Sequence, residues 1–316
     1  MRTAFQYDSR GGGRIHGFRW TPAGEPAAVV QIIHGITDHS ERYDQLARYL
    51  NSKGILVVAE DHMGHGKTVA LGGTKGYFDG GWDAVVEDIC KLTEMTQKEY
   101  PDIPYFLLGH SMGSFLARTI LCRKPDLKLS GVILSGTGWI PDPALKVGSG
   151  TAKLLCRQMG ERTASKKLND LVFGSFNIKV ERKRTTYDWL SRDAVWVDAY
   201  LTDRMCGFPV TCALMRDMAG ALREIQDPKA LKGMNRHIPI LFVSGGDDPV
   251  GGFGKAVNRT VQAFRDAGMQ RVKSRIFPLC RHELHGEINR AEVFRYLHGW
   301  LRETSEAEAK GCSGDN

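Results

Sequence analysis

Short apolar runs alternate with amphipathic stretches along most of the chain. Six of these runs predict strands, at 27–33, 55–59, 104–108, 131–135, 238–243 and 272–277. Apolar residues at helical spacing lie between them and predict helices at 41–53, 82–100, 112–120, 255–267 and 287–301. A weaker alternation at 13–20 predicts an edge strand. This order indicates the α/β class, with a mostly parallel, doubly wound sheet that helices cover on both faces.

The alternation stops between residues 137 and 236. This stretch has no clean strand but many large apolar residues, including Trp139, Phe173 and Trp189. Because it separates two strands of the sheet, it predicts an inserted helical lid over the carboxyl ends of the strands, where such sheets bind ligands. The predicted organisation is a body formed by 1–136 and 237–302, a lid at 137–236 and a loose polar tail at 303–316.

The composition is that of an ordinary globular protein. Of its 316 residues, 42% are hydrophobic and 25% are charged. The formal charge of +7 is spread along the chain, and the densest basic run, 179–184, is interrupted by Glu181. This distribution favours a solvated face over a nucleic-acid site, so no nucleic-acid partner is expected.

Targeting and redox signals are weak in this sequence. No stretch approaches the roughly 20 apolar residues of a membrane helix, and the first eight residues lack the apolar run of a signal peptide. The seven cysteines form no C-x-x-C pair, which fits a reducing compartment. We therefore expect a cytoplasmic protein with at most peripheral membrane contact through the lid. The sequence leaves the oligomeric state open.

The pattern G-x-S-x-G at 109–113 is the clearest chemical signal. A predicted strand ends just before it, and a predicted helix begins at Met112, so Ser111 lies where a strand turns sharply into a helix. The glycines on either side allow neighbouring backbone to approach the turn closely. This context predicts that Ser111 is an exposed nucleophile at the top of the sheet.

A serine nucleophile needs a general base and an acid that orients the base. In this fold the acid and then the histidine follow the serine along the chain, each after a late strand. Two aspartates, Asp247 and Asp248, follow the strand that ends at 243, and two histidines, His282 and His285, follow the strand that ends at 277. The residues alone leave both pairs open.

The sequence resembles the monoacylglycerol lipase and lysophospholipase branch of the α/β-hydrolases, which overlaps in sequence with a serine aminopeptidase group. The matching segments are 34–43, 61–66, 109–113, 248–250 and 282–283. The resemblance covers both halves of the body and is weaker in the lid. It implies the α/β-hydrolase fold, in which an inserted helical lid, or cap, covers a mostly parallel sheet.

The resemblance also implies which candidates act. It selects Asp248, which directly precedes Pro-Val, and His282, which precedes Glu283. It assigns the oxyanion hole to the backbone N–H groups of Ile36 and Met112. Position 36 is often small in relatives, so the bulkier isoleucine is expected to narrow the acyl entrance.

Two other histidine clusters resemble metal sites only superficially. Neither the cluster of Asp61, His62 and His65 nor the pair His282 and His285 fits the H-E-x-x-H pattern. In relatives the segment 61–66 is a structural loop. We therefore expect neither a metal nor a cofactor.

The favoured function is a serine hydrolase that cleaves lipid-like esters, of the monoacylglycerol or lysophospholipid type, through an acyl-enzyme on Ser111. The small-molecule substrate would place an apolar acyl chain under the lid. The alternative is an amidase or aminopeptidase, which would need a lid carboxylate to hold a free amine. Four are available, Asp188, Asp193, Asp198 and Asp203. A ligand receptor without catalysis is the third reading, and the complete set of candidate residues argues against it.

Overall fold

The computed structural model describes residues 1–312, apart from the side chains at 167, 171 and 309–312. Its centre is one sheet of eight strands: β1 (Arg2–Asp8), β2 (Arg14–Trp20), β3 (Ala28–Ile33), β4 (Ile55–Asp61), β5 (Tyr105–His110), β6 (Gly131–Ser135), β7 (Ile240–Gly245) and β8 (Val272–Phe277). The strand order is β1-β2-β4-β3-β5-β6-β7-β8. Strand β2 pairs antiparallel with both of its neighbours, β1 and β4. From β4 through β3 to β8, every neighbouring pair of strands is parallel. The predicted fold class is therefore confirmed.

Helices cover both faces of the sheet. Those outside the insertion are α1 (Asp44–Asn51), α2 (Gly81–Glu99) and α3 (Met112–Arg123), followed after the insertion by a helix at Lys255–Asp266 and a last helix at Arg290–Cys312. Successive residues of β5 point to opposite faces: Phe106 packs in the cluster that holds α1 and the last helix, and Leu107 in the cluster that holds α2 and α3. Two-sided burial explains why the central strands are continuous apolar runs.

The insertion between β6 and β7 is helical, as predicted. It contains α4 (Asp142–Met159), α5 (Lys166–Phe173), α6 (Ala194–Thr202), α7 (Cys212–Glu224) and α8 (Pro228–Lys232). A short 3-10 turn, Asp188–Leu190, lies between α5 and α6. Helix α7 packs on α4 and also on α2 and α3 of the body. The predicted limits of the lid at 137 and 236 stay a prediction.

Two terminal segments differ from the sequence-based expectation. Strand β1 was not predicted, because only Tyr7 of its seven residues is buried and hydropathy gives no signal there. Its position depends on backbone pairing with β2.

The last helix extends further than expected. The helix at 255–266 is α9 and the last helix is α10, which continues from Leu301 to Cys312, where a loose tail was expected. The added segment is rich in alanine, glutamate and lysine, which favour helix even on a polar surface. Residues 313–316 of the predicted tail lie outside the described residues.

Both ends of the insertion are attached to α3 by a buried arginine. Arg118 is fully buried, and its guanidinium donates to the backbone oxygens of Gly138, 2.9 Å away, and Ile225, 3.2 Å away. Burial lowers the pKa of Arg118 to about 10, so the group is still charged at neutral pH. The helix that follows Ser111 is thereby tied to the segments that enter and leave the insertion. Among residues 1–312, no helix is both long and apolar enough to cross a membrane.

Candidate active site

Ser111 occupies the turn between β5 and α3 with a strained backbone. Its φ of 54° and ψ of −121° are rare for a residue with a side chain. The two flanking glycines are required by close contacts: a Cβ at Gly113 would lie 2.0 Å from the Ile33 oxygen, and one at Gly109 would lie 2.4 Å from the Gly113 oxygen. The turn is held by a hydrogen bond of 2.9 Å from the Ser111 N–H to the Ser135 oxygen. These contacts explain why the pattern has glycine two positions before and after the serine.

The structure brings His282 to Asp248. His282 Nδ1 lies 2.9 Å from Asp248 Oδ1, and both side chains are buried. The carboxylate also accepts hydrogen bonds from the Val250 N–H and the Ser244 hydroxyl, which hold its orientation. Asp247 is partly exposed, and its side chain makes no hydrogen bond with the described residues. An Nδ1–H that donates to Asp248 leaves Nε2 of His282 free to accept a proton.

Ser111 and His282 line one cavity of about 410 Å³ under the insertion. Part of its apolar wall comes from the segment after β3 that carries Ile36, here called the oxyanion loop after its predicted role, and the rest comes from the insertion. The apolar residues are Ile36, Phe173, Tyr187, Trp189, Leu190, Tyr200 and Phe208. No hydrogen bond joins Ser111 to His282 in the described part of the chain. Such contacts are often long without substrate and shorten only when the substrate is bound.

The two residues predicted to supply oxyanion donors, Ile36 and Met112, are next to Ser111 or to the residue that packs on it. Met112 is the first residue of α3, so its N–H has no partner within the helix and lies at the positive end of the helix dipole. Ile36 lines the cavity, and the preceding Gly35 is so close that a Cβ on it would lie 3.3 Å from the Ser111 Cβ. Neither N–H donates to another backbone group described here. Residues 36 and 112 therefore both lie close to the serine in the fold, and their role as oxyanion donors stays a prediction.

His285, the competing histidine, lies on another surface of the same loop. Its ring stacks on Tyr43 with 4.3 Å between ring centroids and an angle of 19° between the planes. Its Nε2 is buried and has no hydrogen-bond partner in the part of the chain that is described. Burial lowers the pKa of His285 to about 4. His285 is thus a neutral core residue, whereas His282 contacts Asp248.

Trp189, which the sequence marks only as one of the large apolar residues of the lid, lines the cavity and contacts His282. Its backbone oxygen accepts a hydrogen bond of 3.3 Å from the His282 N–H, and its ring centroid lies 5.1 Å from that of the imidazole. Next to it, the Leu190 oxygen accepts from the Glu283 N–H at 2.7 Å. These backbone contacts hold the loop after β8 that carries His282, here called the histidine loop, against the insertion. A pattern of side chains in the sequence cannot predict such contacts.

Arg42 was also missed as a site residue, although it lies in the first segment that resembles the family. Its guanidinium is paired with both oxygens of Glu283, at 2.7 and 2.6 Å, and with Asp38 at 3.0 Å. It also lies over the rings of Trp196 and Tyr200 from the insertion. Burial alone would raise the pKa of Asp38, but the charge of Arg42 holds it well below its ordinary value. One buried cation thus connects the oxyanion loop, the histidine loop and the cap.

The histidine cluster near Asp61 is engaged in contacts with neighbouring segments of the chain. Asp61 accepts hydrogen bonds from the backbone of Ser40 and Lys67. The His62 N–H donates to Nε2 of His34 at 3.0 Å. These contacts support the predicted structural role of the segment, behind the loop that carries Ile36.

The four lid carboxylates considered for an amine are all engaged, and none lines the cavity. Asp188 accepts from the Thr185 hydroxyl and N–H, Asp193 caps α6 and pairs with Arg290, Asp198 pairs with Arg184, and Asp203 pairs with His39. The carboxylates that do line the cavity are Asp38, Asp170 and Glu283, each with a cationic partner. The cavity therefore offers no unpaired carboxylate from the described residues for a substrate amine.

Protonation of buried histidines should destabilise the protein in mild acid. Burial lowers the pKa of His62 and His285 from 6.5 to about 4, and that of His34 to about 3. At these three histidines the unfolded chain therefore binds more protons than the folded chain between about pH 6.5 and 4, so their contribution to the free energy of unfolding falls as the pH falls. We expect a lower thermal unfolding midpoint by circular dichroism at about pH 5 than at about pH 7.

The variant His285→Phe tests this origin, because phenylalanine can keep the stacking on Tyr43 but cannot take up a proton. The variant should lose less of its thermal midpoint on acidification than the wild type, and it should still hydrolyse esters. An unchanged dependence on pH would show that His285 contributes nothing to it.

Known proteins resemble this chain over most of its length. A family model described as serine aminopeptidase, S33, matches residues 24–289. The monoacylglycerol lipase of Mycolicibacterium smegmatis is 29% identical over 303 residues, covering 95% of this chain and 97% of that protein. The monoglyceride lipase of Mus musculus is 27% identical over 297 residues, covering 93% of this chain and 88% of that protein.

A solved structure of an esterase has the same fold as this chain. The crystal structure of a highly thermostable carboxyl esterase from Bacillus coagulans, in complex with glycerol, has a TM-score of 0.89 and 29% identity. The match covers 96% of this chain and 98% of the esterase. The sheet, the strand–serine–helix turn and the cap define an α/β-hydrolase. The chain belongs to the serine aminopeptidase S33 family, in its monoacylglycerol lipase-like branch, and it is a carboxylic-ester hydrolase.

Proposed function

We propose that the enzyme hydrolyses esters of glycerol with an apolar acyl chain, as a monoacylglycerol lipase does, through an acyl-enzyme on Ser111. The observation that carries this proposal is the contact between His282 and Asp248, 2.9 Å apart, with His282 lining the same cavity as the strained Ser111. The relatives that are named for monoacylglycerol cleavage match nearly the whole chain.

In the proposed mechanism, Nε2 of His282 takes the Ser111 proton as the Ser111 oxygen attacks the ester carbonyl. Asp248 holds the ring in the tautomer that leaves Nε2 unprotonated, and it stabilises the imidazolium that forms. The same imidazolium then donates its proton to the departing glycerol oxygen, which leaves the acyl group on Ser111. A water molecule repeats these steps on the acyl-enzyme, releasing the fatty acid and restoring the serine.

The N–H groups of Ile36 and Met112 would stabilise the negative charge on the carbonyl oxygen in both steps. Removal of one such donor typically costs about 3–4 kcal/mol of transition-state stabilisation. Because both donors belong to the backbone, their positions depend on the two turns and not on side-chain identity. The Ile36 side chain also forms part of the acyl wall, so its size bears on chain-length preference.

The environment of the cavity supports an apolar acyl group over an amino-acyl group. Aromatic residues of the insertion form much of its wall, and each cavity carboxylate is already paired with a lysine or arginine. Within the buried part of the cavity, a charged substrate amine would lose its hydration and meet only Asp38 and Glu283, which already share Arg42, whereas Asp170 is 64% exposed. This argument favours ester hydrolysis over the aminopeptidase alternative.

A substrate panel tests the proposal. Monoacylglycerols and p-nitrophenyl esters of increasing acyl length should be assayed beside lysophospholipids and aminoacyl arylamides. We expect kcat/KM for medium-chain glyceryl esters to exceed that for acetate esters by at least about tenfold, since each buried methylene contributes about 0.8 kcal/mol. Faster cleavage of aminoacyl arylamides would contradict the proposal, and a preference for lysophospholipids would change its head group.

A further inference from the structure

A group of metal-ligand side chains lies between the oxyanion loop and the cap, outside the proposed triad. His39 Nε2 is 2.9 Å from Asp203 Oδ2, and one donor atom from each of His39, Asp203 and Cys206 lies within 4.8 Å of the others. His39 and Cys206 are buried, whereas the Asp203 side chain is 28% exposed. The two cap residues come from the loop that follows α6.

We propose that His39, Asp203 and Cys206 form a binding site for one divalent cation of the Zn²⁺ class. An imidazole nitrogen, a carboxylate oxygen and a thiolate sulfur are the three ligand types that zinc sites in proteins use. In a tetrahedral site the ligand atoms lie about 3.3–3.6 Å apart, given bonds of about 2.0–2.3 Å. In this group the His39–Asp203 distance of 2.9 Å is shorter than that, and no two ligand atoms are more than 4.8 Å apart. Small side-chain movements would therefore complete the site.

The charges of the group also suit a buried divalent ion. When the metal–sulfur bond forms, the Cys206 thiol releases its proton to solvent, and the imidazole binds as the neutral ring. One thiolate and one carboxylate then balance the two positive charges, which makes burial of the ion affordable without another counter-ion. The Asp203 side chain is partly exposed, so a water molecule from solvent would be the fourth ligand. Mg²⁺ and Ca²⁺ prefer oxygen ligands and are disfavoured by this set.

Backbone contacts hold the ligands in place before any ion binds. The Cys206 N–H donates to the Asp203 oxygen at 3.1 Å, and the Met205 N–H donates to Asp203 Oδ1 at 2.8 Å. The Gly207 N–H donates to the Thr37 oxygen at 3.2 Å, which joins this loop to the one that carries His39. These loops are therefore already adjacent, so binding would require little reorganisation.

A bound ion would connect the cap directly to the oxyanion loop. His39 lies three residues after Ile36, and Gly207, which follows Cys206, lines the substrate cavity. The ion would thus restrain the wall of the cavity without contacting the substrate. This site is separate from the ester chemistry, so it can be tested without measuring activity.

The test is a titration of the chelator-treated, reduced full-length enzyme with Co²⁺, which reports thiolate coordination by its charge-transfer absorption. Wild type should bind one equivalent, Zn²⁺ should displace the Co²⁺ and abolish the absorption, and Zn²⁺ should raise the thermal unfolding midpoint. C206S should lose the absorption. The matched control C156S changes another buried cap thiol and should behave as wild type.

A second variant keeps the proposal falsifiable if C206S does not fold, as judged by circular dichroism. D203N keeps the shape of the side chain but removes its charge, and calorimetry should show Zn²⁺ affinity at least about tenfold weaker than in wild type. No thiolate absorption in wild type, the same absorption in C206S, or undiminished Zn²⁺ affinity in D203N would each overturn the assignment.

Discussion

Replacing Ser111 by alanine is expected to abolish ester hydrolysis. Ser111 lines the cavity from a strained turn. Without the hydroxyl no acyl-enzyme can form, and only the binding and oxyanion contributions of the site would remain. In serine hydrolases that use a triad, loss of the serine costs on the order of 10⁶-fold in kcat. The measurements are hydrolysis of a medium-chain monoacylglycerol and covalent labelling by a fluorophosphonate probe.

The matched control is Ser114→Ala, one turn further along α3. The Ser114 hydroxyl is buried and donates to the Ser111 backbone oxygen at 2.6 Å, so it faces the turn and not the cavity. This variant should fold and keep fluorophosphonate labelling, with turnover reduced by no more than about tenfold, the order expected for one lost hydrogen bond. Labelling that persists in Ser111→Ala would exclude Ser111 as the nucleophile.

The second large effect concerns the two adjacent aspartates. Asp248→Asn should lower kcat by about 10⁴-fold, because an amide in place of the carboxylate favours the wrong tautomer of His282 and cannot stabilise the imidazolium. Asp248 is the carboxylate that contacts His282, at 2.9 Å, and it is completely buried. Steady-state kinetics on the same ester, with thermal unfolding as a check on folding, would measure the loss.

Asp247→Asn is the matched control, since it makes the same chemical change one residue away. The Asp247 side chain is partly exposed and makes no hydrogen bond with the described residues, so the change should alter kcat by no more than about threefold. If Asp247→Asn were the more damaging variant, the assignment of the acid would be reversed. Similar losses in both would indicate that the loop, and not one carboxylate, is what turnover requires.

Much of the architecture was predictable because its causes are local. Two-sided burial of the parallel strands requires continuous apolar runs, so the central strands are visible in the sequence. The turn between strand and helix at 109–113 was equally predictable from the sequence. A backbone atom lies too close to Gly109 and to Gly113 for any side chain, so the turn requires glycine at both positions. By contrast, strand β1 escaped prediction, because hydrogen bonds to a neighbour define an edge strand and hydropathy does not record them.

The sequence by itself determined the fold class, the position of Ser111 between a strand and a helix, and the two pairs of acid and base candidates, because each depends on neighbouring residues or on repeat spacing. The family resemblance selected Asp248 and His282 from these pairs. Only the tertiary structure shows that these two side chains, 34 positions apart, are in contact. It also decided that Trp189 of the cap holds the histidine loop, and that Arg42 pairs with Glu283 across 241 positions. Pairings of this kind depend on how whole elements pack, and one chain's pattern of polar and apolar residues does not encode which distant side chains meet.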